Sequence, residues 1–214
     1  MSMSFGSASV EDAPDAAIAP SPFDSLRKTS VQHEVHRKLI EDWQMIEHRE
    51  GGYFKETDRS PFTMTVGEQS MAVKCDSSAG TQEENTVSRN YSTLIYYLLT
   101  LKSPIGKLHK NKNRIIHILQ RGKGQYVLIY PDGKIKSFRV GFDYANGEVS
   151  QWAVPGGVYK ASFVALNDEF HNGLLISEVV VPGFDFDDHM FMPNFQTLVD
   201  LVGNSQAEKL KFLL

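Results

Sequence analysis

Between residues 92 and 181 the chain repeats one cadence: a short β-rich run, a few turn-forming residues, then another such run. The runs are 94–100, 115–120, 125–130, 135–140, 158–165 and 174–181. Between them stand Ser103 and Pro104, Gly122 and Gly124, Pro131 and Gly133, Asn146 and Gly147, Pro155 and Gly157, and Asn172 and Gly173. These residues supply the fixed or positive φ that tight turns need. Many short strands at regular spacing, with no helical stretch between them, predict an all-β antiparallel sandwich or barrel.

The flanks read differently. Residues 1–29 carry Pro14, Pro20 and Pro22 and no hydrophobic periodicity, so they are expected to form a disordered tail. Residues 30–214 then make one domain, a size that suits a single core. Ser30 is the expected N-cap of a helix with Val31, Val35, Leu39 and Trp43 at helical spacing, lying against the outside of the domain. Gly51 and Gly52 end that segment, and 53–57 alternates as a strand. The polar stretch 65–89 reads as a long excursion that crosses to a neighbour or hides a strand at 70–74. Two short helices close the chain, one through Phe195, Leu198, Val199 and Val202, the other behind a capping box at Ser205 and Glu208.

Composition narrows the partners. A net charge of −4 without a basic stripe argues against nucleic acid and anionic membranes. No apolar run approaches the roughly 20 residues of a membrane span. A single cysteine, Cys75, excludes an intrachain disulfide. The N-terminal residues show neither a signal nor a transit pattern, so a cytoplasmic location is expected by elimination, with nuclear access left open.

Two polar residues interrupt apolar strands. His117 shares a face with Ile115 and Leu119, and is either a hydrogen-bonded core histidine or a cavity group. Glu178 lies within 174–181, where a carboxylate costs several kcal/mol unless it is paired or solvated in a cavity. Such residues are often functional.

Gly106 with His109, the apolar strand running to Gly122, and Pro155 with Gly157 resemble the two short motifs of the cupin superfamily. More specifically, Gly51 to Ser60, Ser92 to Leu99, Val154 to Gly157 and Val181 to Phe186 resemble one small cupin family without an assigned function, over about residues 39–191. The resemblance implies a jelly-roll (double-stranded β-helix) barrel with short peripheral helices at both ends, a homodimer, and an internal cavity. It implies no particular reaction.

In metal-binding cupins the first motif brings two histidines and a carboxylate, and the second a third histidine. By this resemblance His109 is the first ligand, but Asn111 stands where the second would be, Asn113 and Arg114 where acidic residues occur, and Lys160 where the last histidine belongs. His117 and Glu178 are the only substitutes, so no cofactor and no tightly held metal are expected. Lys160 is either a snorkelling surface lysine or a cavity cation for a substrate oxygen, reinforced by Arg89 and Arg114. Tyr53, Phe54 and Glu56 form either a platform for a planar or sugar ring or a dimer edge; Tyr97 adds apolar lining. The acidic run from Asp185 to Asp188 reads as a solvated turn.

The expected function is therefore binding of a small polar or anionic molecule in the barrel, with His109, His117, Lys160 and Glu178 as polar lining. The alternative is a metal-independent isomerase or epimerase, in which His117 polarised by Glu178 abstracts a proton and Lys160 stabilises the enolate. A metal-dependent dioxygenase requires His109 and His117 to recruit a further carboxylate.

Overall fold

A computed structural model describes residues 10–11, 13–18, 31–67 and 86–214. Among the described residues, a helix α1 (Glu34–Asp42) precedes thirteen strands: β1 (Ile46–Glu47), β2 (Tyr53–Arg59), β3 (Thr63–Gly67), β4 (Thr86–Asn90), β5 (Thr93–Leu99), β6 (Ile105–Asn111), β7 (Arg114–Gly122), β8 (Gly124–Ile129), β9 (Ile135–Val140), β10 (Gln151–Val154), β11 (Tyr159–Val164), β12 (Leu174–Val181) and β13 (His189–Phe191). Helices α2 (Phe195–Val202) and α3 (Asn204–Leu210) follow. One sheet has the order β1-β2-β5-β12-β7-β10 and the other β13-β6-β11-β8-β9. The pairings between these strands are antiparallel, as the turn cadence predicts, and the two sheets make the all-β jelly roll that the cupin resemblance implies.

Alternation sorts the side chains. On β7, Ile115, His117 and Leu119 are buried while Arg114, Ile118 and Gln120 are exposed. Every residue of β11 is buried, because Lys160 and Ser162 face inward while Phe163 meets Phe212 of the C-terminal segment at 5.6 Å between ring centroids. Leu198, Ala207, Leu210 and Leu213 join the main core, so the C-terminal helices are its outer cover. Each large aliphatic side chain taken fully out of water contributes about 1.5–3 kcal/mol.

Four boundaries differ from expectation. Helix α1 begins at Glu34, and its cap is His33, whose Nδ1 accepts from the Val35 amide at 3.2 Å; Ser30 lies outside the described residues. Val31 is 80% exposed, and the buried face runs through His36 with Leu39 and Ile40 against Met45, Leu98 and Leu175. Helix α3 is capped by Gly203 with no side-chain bond, leaving Ser205 within the helix, so the capping box does not form. The excursion begins and ends as a ribbon, with Thr63 opposite Asn90 and Gly67 opposite Thr86; the suggested strand at 70–74 lies outside the described residues.

Residues 10–11 and 13–18 lie against the domain; the rest of the expected tail falls outside the described residues. Val10 and Ala13 are buried, the Ala16 amide donates to Ser137 O at 2.9 Å, and Lys136 Nζ donates to Ala13 O at 2.7 Å. Strand β9 is the last strand of its sheet, and Ala16 takes up one of the backbone carbonyls that such an edge presents, while Val149 pairs with its far end. The composition of 13–18 carries no sign of this, because the partner is a strand some 120 residues away.

Candidate functional site

The two sheets enclose a cavity of about 350 Å³. Phe54, Ile95, Ile115 and Val180 make apolar walls from four adjacent strands of one sheet, while Asn111 and Lys160 reach in from the other. Phe184, Asp185 and Phe186 cover it from the turn after β12, and His48 and Glu50 from the turn before β2.

At the floor, three polar residues converge. His117 and Glu178 are cross-strand partners on β7 and β12, and Lys160 comes from the opposite sheet. Lys160 Nζ donates to Glu178 Oε2 at 3.0 Å and to His117 Nε2 at 3.0 Å. His117 Nε2 is 3.6 Å from Glu178 Oε1, so the lysine bridges the two rather than the pair bonding directly. The imidazole lies parallel to Trp152 with centroids 5.0 Å apart and has Tyr126 at its edge. Burial, reinforced by the Lys160 charge, holds its pKa well below the usual histidine value. His117 is thus a neutral acceptor locked behind Lys160, fully out of solvent.

A second cluster stands at the cavity's end. Glu50 Oε1 is 3.2 Å from His109 Nε2 and 2.8 Å from His189 Nε2, and Glu50 Oε2 is 3.6 Å from His48 Nδ1. Burial alone would raise the Glu50 carboxyl. The surrounding histidines and Lys160 outweigh it and hold the group below the ordinary carboxylate range. Burial, with Lys160 adding, depresses His109 to about 3 despite the opposing pull of Glu50. His109 is therefore neutral near pH 7, and the Lys160 charge and the His189 hydrogen bond keep Glu50 ionised.

Local structure explains how Glu50 gets there. Gly51 and Gly52 have φ of 102° and 70°, and a Cβ on Gly51 would strike Ile105 O. Only glycine lets this turn press against the start of β6. The Glu50 carbonyl accepts from the Lys107 amide at 2.7 Å, and Ser103 Oγ accepts from the Gly52 amide at 2.7 Å. His189 is placed by its neighbour Asp188, a buried carboxylate held by Arg89 at 2.7 and 2.9 Å and by Asn113 Nδ2 at 3.0 Å.

Of the residues singled out from sequence, Phe54, Glu56, Tyr97, Lys160 and Glu178 line the cavity, and His109 and His117 stand directly behind lining residues. Three do not serve it as expected. Tyr53 faces the opposite side of its strand, buried with Met45 and Leu98 beneath α1. Arg89 is consumed by Asp188, and Arg114 is exposed on the outer face of β7. The acidic turn is not simply solvated, since Asp185 lines the cavity and Asp188 is buried. Sequence reasoning missed Glu50, His48, Arg59 and His189; the Gly51–Gly52 pair beside Glu50 is the one local signal that pointed there.

The ligand set that the cupin motifs imply for a metal does not form, because Asn111 and Lys160 hold two of its positions. His117 is likewise engaged by Lys160, and among the described residues Glu178, its carboxylate neighbour, stands 3.6 Å away, beyond hydrogen-bond reach. His109, however, meets a carboxylate that sequence reading did not locate, and Glu50, His109 and His189 bring ligand atoms within 4.8 Å of one another.

Comparisons with known proteins agree with the architecture. A family model described as "Cupin superfamily (DUF985)" matches residues 37–192. The chain is 60% identical to the uncharacterized protein YML079W of Saccharomyces cerevisiae, over 97% of this chain and 99% of that one. A hypothetical protein from Leishmania major superposes with a TM-score of 0.65 at 26% identity, covering 83% of this chain and 97% of that chain. Protein SO0799 from Shewanella oneidensis follows at a TM-score of 0.62 and 22% identity, over 82% of this chain and 94% of that chain.

Proposed function

The chain belongs to the cupin superfamily, in the family described as DUF985, and from that premise we propose that it binds a small polar molecule in its barrel cavity. The observation that carries this is the cavity itself: about 350 Å³, walled by Phe54, Ile95, Ile115 and Val180, with Lys160 and Glu178 paired at its floor. Apolar walls with a few convergent polar groups are what small-molecule sites present.

The charges refine the ligand class. Glu50, Glu56, Glu178 and Asp185 face only Lys160 and Arg59 among the fixed charges of the lining. Arg59 is tied to Glu56 at 2.8 Å and Lys160 to Glu178 at 3.0 Å, which leaves surplus negative charge. A ligand that donates hydrogen bonds through hydroxyl or amino groups suits this lining better than an anion. Isothermal titration of the full chain against polyols, sugars, amines and carboxylates tests the reading. Hydroxylated or amino compounds should bind, and Glu178→Gln should weaken them about tenfold or more. Binding by none of the four classes would overturn it.

The isomerase reading survives in altered form, because Lys160 and Glu178 both border the cavity whereas His117 does not. Glu178 would take the proton as the α C–H bond breaks, and Lys160 would hold the resulting enolate oxygen until the proton returns. His117 would be a positioning residue for the lysine. Deuterium incorporation from solvent at the α carbon of a carbonyl ligand, lost in Glu178→Gln, checks this; its absence sinks the reading.

A homodimer is part of the proposal. Phe62, Met64 and Tyr91, at the base of the β3–β4 ribbon, are 68%, 38% and 48% exposed, the kind of apolar surface a second copy covers. Sedimentation equilibrium of the wild type and Phe62→Asp should show a dimer weakened by the substitution.

A further inference from the structure

We propose that Glu50, His109 and His189 form a binding site for a divalent first-row transition-metal cation at the end of the barrel cavity. The case begins with hydrogen placement. His109 Nδ1 lies 2.7 Å from Lys107 O, and a carbonyl only accepts, so this nitrogen carries the hydrogen. In the neutral ring the other nitrogen, Nε2, is then a bare lone pair. It lies 3.2 Å from Glu50 Oε1, an acceptor beside an acceptor with no hydrogen bond between them. His189 Nε2 approaches the same oxygen at 2.8 Å. A cation between these three atoms, with the His189 hydrogen moved from Nε2 to Nδ1, converts the repulsive contact into two bonds, and the His109–Lys107 hydrogen bond is the outer support that metal-binding histidines commonly have.

An independent observation comes from Asn111. It is 5% exposed, lines the cavity, and its Oδ1 has no hydrogen-bond partner. Asn111 lies two residues beyond His109 on the same face of β6, and it is the direct cross-strand partner of His189. Its orphaned carbonyl oxygen is therefore a neighbour of the cluster and the natural fourth donor.

Spacing and charge fit. Ligand atoms around a tetrahedral ion with bonds of about 2.0–2.1 Å stand roughly 3.4 Å apart, so the Glu50 contacts of 3.2 and 2.8 Å need a slight opening, and the two histidine nitrogens already lie within 4.8 Å of each other. Two imidazoles and one carboxylate prefer zinc, cobalt, iron or manganese to calcium or magnesium. Lys160, the nearby cation, is engaged by Glu178. The set is not the one the cupin motifs imply, because its carboxylate comes from the turn before β2 and one histidine from β13, after the second motif.

The test is a titration of the chelator-stripped full chain with Co²⁺, followed by visible absorption, and with Zn²⁺ by calorimetry. One equivalent per chain is expected, with affinity falling about 100-fold or more in both Glu50→Gln and His189→Ala. Each variant is first checked for a cooperative melt and an unchanged circular dichroism spectrum. The double variant His33→Ala/His171→Ala, which removes an exposed stacked pair 3.9 Å apart, should bind as the wild type does. Absence of a saturable cobalt spectrum would overturn the proposal. So would titrations unaltered in folded Glu50→Gln and His189→Ala, or a loss confined to the surface double variant. Because no organic ligand is present, failure here leaves the small-molecule reading standing, and ligand titration of stripped protein tests that reading alone.

Discussion

Lys160 shows how one residue can be both structural and functional. It is 3% exposed, and its ammonium is shared between a carboxylate and a neutral imidazole, each 3.0 Å away. Removing one partner of such a buried pair leaves an uncompensated charge, which costs about 3–5 kcal/mol. Lys160→Met should therefore lower stability by about that amount, because Glu178 and His117 keep their desolvation and lose their donor. Lys160→Met combined with Glu178→Leu removes both charges at similar volume, and its loss should be well below the sum of the two single losses. Urea denaturation of the four proteins checks this. Additive losses would mean that the two side chains do not act as a pair. The same cycle, repeated with a bound ligand, separates the lysine's contribution to the fold from its contribution to binding.

At the scale of elements, the site depends on two turns that the strand pattern does not describe. The Asp188 turn is pinned by Arg89, whose side chain is 10% exposed against an aspartate side chain at 1%. Arg89 lies on β4, so the ribbon outside the two main sheets locks the segment that carries His189. Arg89→Ala should cost about 3 kcal/mol, since Asn113 still reaches Asp188 and Lys112 stands 3.7 Å away. It should also open residues 184–189 to limited proteolysis, which an ordinary surface arginine would not do. This dependence marks what was legible in the sequence. The six strands of the cadence and β2 could be read because they alternate or have an apolar face and because glycine, proline or asparagine punctuates them. Strand β6 was not assigned as a strand, because its inner face holds His109 and Asn111 and so lacks the apolar alternation that announces one. Glu50 and His189 were missed for a related reason: each sits at a turn whose position is set by distant partners, Ile105 for one and Arg89 for the other. The apparent helix stripe through Val31 and Val35 misled in the opposite direction, because the sheet beneath α1 receives His36 instead.

For the whole molecule, a core built around buried histidines makes stability a function of pH. In the metal-free protein, burial lowers the pKa of His36, His109 and His117, the second to about 3 and the third well below its usual value. The unfolded chain takes up protons on these rings near pH 6.5, whereas the native chain does not, so stability falls as pH drops below about 6.5. Glu50 acts in the same direction at lower pH. Its native pKa is depressed, so its contribution is present above about 4.5, its unfolded value, and fades as pH falls further. At the other end, burial raises Tyr97 and Tyr126 well above 10, and stability should decline once the unfolded phenols ionise above that pH. A histidine held neutral supplies up to about 1.4 kcal/mol per pH unit, so His109, held to about 3, contributes up to about 3 kcal/mol over two units, and His117 and His36 add in the same direction. That is a sizeable share of the roughly 5–15 kcal/mol that holds a domain together. Urea midpoints measured with a chelator should therefore form a plateau from about pH 7 to 10 and collapse between pH 6 and 4. A midpoint unchanged from pH 7 to 4 would show that these rings are not buried as neutral groups. Added Zn²⁺ should raise the plateau and steepen the acid limb, since protons and the cation would then compete for His109.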